Sequence, residues 1–179
     1  MPVHESFFSK PAVQAAGAIL MPNIGGWISG IQTRKHIKNW YETLNLPKVR
    51  PPNYMFPIAW TTLYSAMGYA SYRVFKEGNG FDGDAKLPLI LYGAQLALNY
   101  AWTPIFFGMH ELKWSCVEIV ALTATAAATG YSFYNVDQTA GLLFIPYLAW
   151  LSFATYLNYS VYKMNPPAIE DKKPEEAKK

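Results

Sequence analysis

Residues 87–109 read LPLILYGAQLALNYAWTPIFFGM, a stretch without a single charge. A helix needs about 20 predominantly apolar residues to cross the hydrocarbon core of a bilayer. Working outward, stretches of similar length and character recur on both sides. They run about 11–32, 54–75, 87–109, 114–134 and 139–162, with short charged connectors between them. A soluble helical bundle would show a polar stripe on each helix. The stretches 87–109 and 139–162 have no charged residue with which to make one. The pattern predicts an all-α integral membrane bundle of five transmembrane helices over residues 1–164. The segment 165–179 (NPPAIEDKKPEEAKK) is expected to be a disordered, charged, cytosolic tail.

Composition agrees. The chain is 51% hydrophobic, with 13 Tyr and 6 Trp, residues that favour membrane interfaces and aromatic pockets. Five spans put the termini on opposite sides. Lys10, Arg73, Lys76 and Lys86 fall on one side, and the other 11 of the 15 basic residues on the other. The positive-inside rule then places the C-terminus in the cytosol. A net charge of +3, interrupted by acids, excludes nucleic acid as a partner. Cys116 stands alone, so no intrachain disulfide is expected. The start, MPVHESFFSKP, lacks the basic n-region of a signal peptide and the Arg-rich look of a transit peptide, so the first span is expected to remain in the mature protein.

The connector Thr33–Asn53 is the longest. It carries five basic residues, Trp40, Tyr41 and LPKVRPP, and its aromatics favour an ordered lid. No span holds a catalytic constellation. His4, His36 and His110 lie outside the spans with no metal-ligand spacing, so neither a metal site nor a cofactor is expected. Glu118 is the one carboxylate well inside a span, near enough to its end to reach the interface. Gln95, Asn99 and Trp102 share a helix face, as do Trp150, Ala154, Leu157 and Asn158. Amides in hydrocarbon need partners, so these faces point inward, either as interhelical hydrogen bonds or as the sparse anchors of an apolar pocket.

Four strings carry a resemblance: LPKVRPP (46–52), WTTLYSAMGY (60–69), QLALNYAWTPIFFG (95–108) and PYLAWLSFATYLNYSVYK (146–163), with WY at 40–41. Together they resemble the translocator protein family, also called the peripheral-type benzodiazepine receptor or tryptophan-rich sensory protein family, and look closer to its animal than its bacterial members. The chain departs from the family pattern at Val49 and Tyr100, where Trp is usual, and at Pro57-Ile58-Ala59, where the proline is shifted by one.

The resemblance implies a receptor for cholesterol, porphyrins such as protoporphyrin IX or haem, and benzodiazepine-site ligands. It implies lipid or porphyrin transport across the mitochondrial outer membrane. Its pocket positions correspond to Gly30, Thr33, Phe56, Trp60, Asn99, Trp102, Trp114, Val117, Ala121, Trp150, Ala154 and Leu157. Its cholesterol motif corresponds to Leu157, Tyr159 and Lys163. Tyr159 lies nine residues from Trp150, about half a turn round the helix, so the motif's Tyr and the pocket should face opposite ways. Two other classes stay open. One is a light-dependent porphyrin-degrading enzyme using Trp60 and Trp150. The other is a scaffold in a mitochondrial membrane complex, with Ala94, Ala97 and Ala101 offering a homodimer surface in contact with membrane lipid.

Overall fold

The computed structural model describes residues 10–166. Among them every regular element is helical: α1 (Pro11–Ile37), α2 (Met55–Glu77), α3 (Lys86–Thr103), α4 (Leu112–Val136), the short α5 (Gln138–Leu142) and α6 (Ile145–Met164). The tail expected to be disordered lies, from residue 167 on, outside the described residues, as does the start through residue 9.

Two stretches, Leu112–Val136 and Gln138–Met164, are long and apolar enough to cross a membrane. The fifth expected span is therefore α5 and α6 in tandem. Pro146 causes the break, because it has no N–H to offer the Leu142 carbonyl. The chain instead turns through Phe144, whose N–H bonds the Gly141 carbonyl at 3.0 Å. Asp137 starts α5 by accepting from the Ala140 N–H at 2.9 Å.

Prolines shape the other helices in the same way. After Pro104, α3 widens into a π-helical turn in which the Met109 N–H reaches the Pro104 carbonyl at 2.8 Å. Pro22 leaves the Ala18 carbonyl without its helical donor. Side-chain bonds hold α1 to its neighbours around this break. Asn23 donates to the Ile19 carbonyl at 2.8 Å and to Ser65 Oγ on α2 at 3.1 Å, and Tyr100 on α3 donates to the Pro22 carbonyl at 3.0 Å. Gly68 presses against Ala18, where any Cβ would overlap the carbonyl. Pro57 sits in the first turn of α2, where a missing N–H costs nothing, so its shift leaves the helix intact.

Packing closes the helices into a ring. α1 lies on α2, α2 on α5, α6 on α4, α4 on α3, and α3 returns to α1. The main core joins Met67 and Val74 of α2, Tyr92 and Leu96 of α3, Leu122 and Phe133 of α4, and Tyr147 and Leu151 of α6. A second cluster, built on Phe106, Phe107 and Val161, lies under the lid residues Trp40, Tyr41, Leu44 and Leu46. Large apolar side chains also cover the outside of the ring, including Ile24 and Ile28 of α1, Leu87 and Ile90 of α3 and Ile145 of α6. Such a surface belongs against lipid rather than water.

Candidate functional site: an aromatic cluster between three helices

Three rings from two helices meet on one side of the bundle. Phe56 stands edge-on to Trp150, with ring centroids 5.9 Å apart. Trp60 also meets Trp150 edge-on at 6.3 Å, and stacks on Tyr64 at 5.3 Å. These edge-to-face contacts suit the quadrupoles of aromatic rings. The Trp150 indole N–H is buried and has no acceptor. A buried donor without a partner is rare in a folded protein and costs roughly 1–3 kcal/mol.

Beneath the rings runs a polar chain. Tyr64 donates to Asn99 Oδ1, Asn99 Nδ2 donates to the Tyr147 oxygen at 3.0 Å, and Tyr147 donates to Gln95 Oε1 at 2.9 Å. Gln95 Nε2 completes the chain on Met67 Sδ at 3.7 Å. Gln95 and Asn99 are therefore interhelical fasteners joining α2, α3 and α6, each using one donor and one acceptor of its amide. The phenols that satisfy them, Tyr64 and Tyr147, were not among the expected site residues. Their signal is faint, since a Tyr in a span reads as an interfacial anchor as readily as a buried donor.

Trp102 belongs to a different neighbourhood. Its indole N–H donates to Asn158 Oδ1 at 2.8 Å, and its ring stacks on Phe106 at 4.8 Å, beneath the lid. Asn158 in turn donates to Ser115 Oγ at 3.1 Å and Cys116 Sγ at 2.8 Å on α4. The lid is held from above. Asn45 and Asn165 bond each other, and Arg50 donates to Asn53 at 2.8 Å with its guanidinium 5.9 Å from the Tyr41 ring. Burial pushes the Tyr41 phenol above its ordinary pKa, with the Arg50 charge opposing.

The other expected positions fall as follows. Thr33 is half-buried and donates to the Ser29 carbonyl at 2.9 Å, while Gly30 is exposed with open space beside it. Ala154 and Leu157 are half-buried on α6. Trp114, Val117 and Ala121 do share one face of α4, but Trp114 is 61% and Val117 54% exposed. That face lies well round the helix from the buried stripe through Ser115, Ile119, Leu122 and Phe133. Glu118 does not reach outward: both carboxylate oxygens are buried without partners. The cholesterol-motif residues divide. Tyr159 is 52% exposed, with Lys163 Nζ 5.9 Å over its ring, and both line a surface recess of about 220 Å³ with Tyr162 and Pro166. Leu157 is absent from that lining.

Residues 18–164, which include the Trp60–Trp150 cluster and the polar chain beneath it, match the model of the TspO/MBR family. The chain belongs to the TspO/MBR family. It is 43% identical to the pig (Sus scrofa) translocator protein over 94% of this chain and 99% of that one. It is 44% identical to the human (Homo sapiens) translocator protein over 88% and 93%. A bacterial member, the tryptophan-rich sensory protein of Cereibacter sphaeroides, is 42% identical over 70% and 77%. The family and the apolar helices together mark this as a transmembrane protein. Within this TspO/MBR chain, the tryptophans divide between the α2–α6 cluster (Trp60, Trp150), the lid end (Trp40, Trp102) and the outside (Trp27, Trp114).

Proposed function

We propose that this chain is a five-span receptor for apolar planar molecules, cholesterol and porphyrins among them, with a role in their transport across the membrane. The unpartnered Trp150 indole N–H beside the Phe56 and Trp60 rings carries this reading. Apolar pockets bind through aromatic walls and a few polar anchors, and a ligand carbonyl or carboxylate accepting from Trp150 would satisfy a donor the fold leaves orphaned. Ala154 and Leu157 extend the wall along α6. From the family resemblance, the reading extends to Gly30, Thr33, Asn99, Trp102, Trp114, Val117 and Ala121, to benzodiazepine-site ligands, and to the mitochondrial outer membrane with a cytosolic C-terminus. Sterol docks on the outer Tyr159–Lys163 face and porphyrin within, since Trp150 and Tyr159 occupy opposite sides of α6. The relatives named translocator proteins support a transport role.

A second reading, light-driven porphyrin breakdown, draws on the 6.3 Å contact between Trp60 and Trp150, two indoles close enough to exchange an electron. One experiment addresses both. Protoporphyrin IX is titrated into the detergent-solubilised protein in the dark, following Trp quenching, and the sample is then illuminated. Saturable quenching weakened by Trp150→Phe, with an unchanged porphyrin spectrum after light, supports the receptor. Protein-dependent loss of the spectrum supports the enzyme. Absence of saturable quenching overturns both porphyrin readings and leaves sterol binding or the scaffold role.

A further inference from the structure

His36 and His110 are 74 residues apart in sequence and meet at the lid end, with His36 Nδ1 3.5 Å from His110 Nε2. The ring centroids are 5.5 Å apart and the planes cross at 75°. One ring comes from the last turn of α1, the other from the connector between the π-helical turn and α4. A tetrahedral ion held by two imidazoles at about 2.0–2.1 Å brings its two ligating nitrogens to roughly 3.3 Å and the ring centres to roughly 5.2 Å. Both observed separations lie within a few tenths of an ångström of that arrangement. By contrast, 3.5 Å is long for a good N–H···N hydrogen bond.

A second observation concerns how His110 is held. Its φ is +57°, in the left-handed region that a non-glycine residue adopts at a cost. Flanking bonds maintain that conformation, from the Met109 N–H to the Pro104 carbonyl at 2.8 Å and from the Glu111 N–H to the Ile105 carbonyl at 3.1 Å. The Trp40 indole stacks on the imidazole with centroids 4.0 Å apart and planes within 17°. Strained backbone that its surroundings over-determine is a mark of functional positions. Here the strain and the stack together aim His110 at His36.

We propose that His36 and His110 form a two-histidine site for a late first-row divalent metal ion, which ties the end of α1 to the α3–α4 connector. Among the described residues no third His, Cys, Asp or Glu converges with them, so water completes the coordination shell. Imidazole nitrogen favours Cu2+, Ni2+ and Zn2+ over Mg2+ and Ca2+. Arg34 and Lys35, in the same last turn as His36, oppose a cation electrostatically and hold the site to modest affinity. The site stands apart from the Trp60–Trp150 cluster and does not rest on the proposed ligand.

The test is calorimetric titration of Zn2+ into tag-free protein in detergent, alongside thermal unfolding with and without Zn2+. The variants are His36→Gln and His110→Asn, the latter because Asn tolerates a positive φ. The control is His4→Gln, which alters the remaining histidine. The expected result is one Zn2+ per chain and a rise in Tm. His36→Gln and His110→Asn should each weaken binding on the order of tenfold or more and abolish the rise, while His4→Gln leaves both unchanged. No saturable Zn2+ binding overturns the proposal. So does binding equal in all four proteins, or binding lost only in His4→Gln. Circular dichroism and the metal-free Tm show whether each variant is folded, and His36→Gln alone suffices if His110→Asn is not.

Discussion

Asn45 and Asn165 hold each other across 120 residues: the Asn45 N–H donates to Asn165 Oδ1 at 2.9 Å, and Asn165 Nδ2 donates back to the Asn45 carbonyl at 3.0 Å. This pair clips the lid to the end of α6, above the Phe106 and Val161 cluster. Asn165→Ala removes both bonds from an exposed position, at a net cost of roughly 1 kcal/mol, about fivefold in an opening equilibrium. Amide exchange through residues 41–46 should accelerate by about that factor, with a small change in global stability. Unchanged exchange there would mean that the aromatic packing alone holds the lid.

Asn99 sits between two buried phenols, so its loss leaves the Tyr64 hydroxyl without an acceptor and takes from Tyr147 the donor it accepts from. Asn99→Leu should destabilise the protein by roughly 1–3 kcal/mol in reversible denaturation. Tyr64→Phe and Tyr147→Phe should each cost less, and each should cost less again when Asn99 is already Leu. Strict additivity in those double-mutant cycles would contradict a continuous chain from Tyr64 to Gln95.

Trp150→Phe should separate stability from binding. It removes a buried donor that has no acceptor, so stability should hold within about 1 kcal/mol. Porphyrin affinity should fall several-fold if the indole N–H anchors the ligand. An equal effect from Phe153→Leu, whose ring also packs on Trp150 at 6.0 Å, would assign the loss to general packing.

Asp137 predicts an acid sensitivity at the end of the bundle opposite the lid. Burial works against its charge, but the Arg73 bonds at 2.7 and 2.8 Å and the Ala140 N–H outweigh it, holding the carboxyl below the ordinary range. A depressed folded-state pKa contributes stability that is present above the unfolded value of about 3.9 and lost as pH falls through the folded value. Asp137→Asn should therefore lower Tm at neutral pH, and the deficit should shrink as pH falls through the folded-state value. A constant deficit across that range would show that the hydrogen bonds to Ala140 and Arg73 matter and the charge does not.

Gly68→Ala should be disproportionately harmful for one added methyl group. The Cβ meets the Ala18 backbone carbonyl and has no flexible side chain to push aside, so α1 and α2 must separate. A loss of about 1–3 kcal/mol is expected from overpacking. A neutral effect would mean that the Pro22 break lets α1 bend away.

Helix positions were legible because prolines, glycines and charges punctuate the chain where backbone and solvation chemistry demand it. The expected stretch 114–134 lies inside Leu112–Val136, and 54–75 begins one residue before Met55. The stretch 87–109 ran past the end of α3 because the π-helical turn keeps an apolar sequence while abandoning the α-helical bond pattern. The break at Leu143–Phe144 was missed for the same reason. Within a helix, spacing also grouped residues on one face: Gln95 lies with Asn99, both bonded to Tyr147.

By itself, then, the sequence determined the helical class, the family and which residues share a face, because these follow from local backbone chemistry and helical period. Only the tertiary structure decided which way each face points. In a helix apolar all round, hydrophobicity does not distinguish the bundle's interior from its exterior, so the exposure of Trp114 and Val117 and the burial of the Glu118 carboxylate had no sequence signal. Nor did the meetings of Tyr147 with Asn99 and of His36 with His110. These depend on helix rotation and on the path of a strained connector, which are set by packing between segments far apart in the chain.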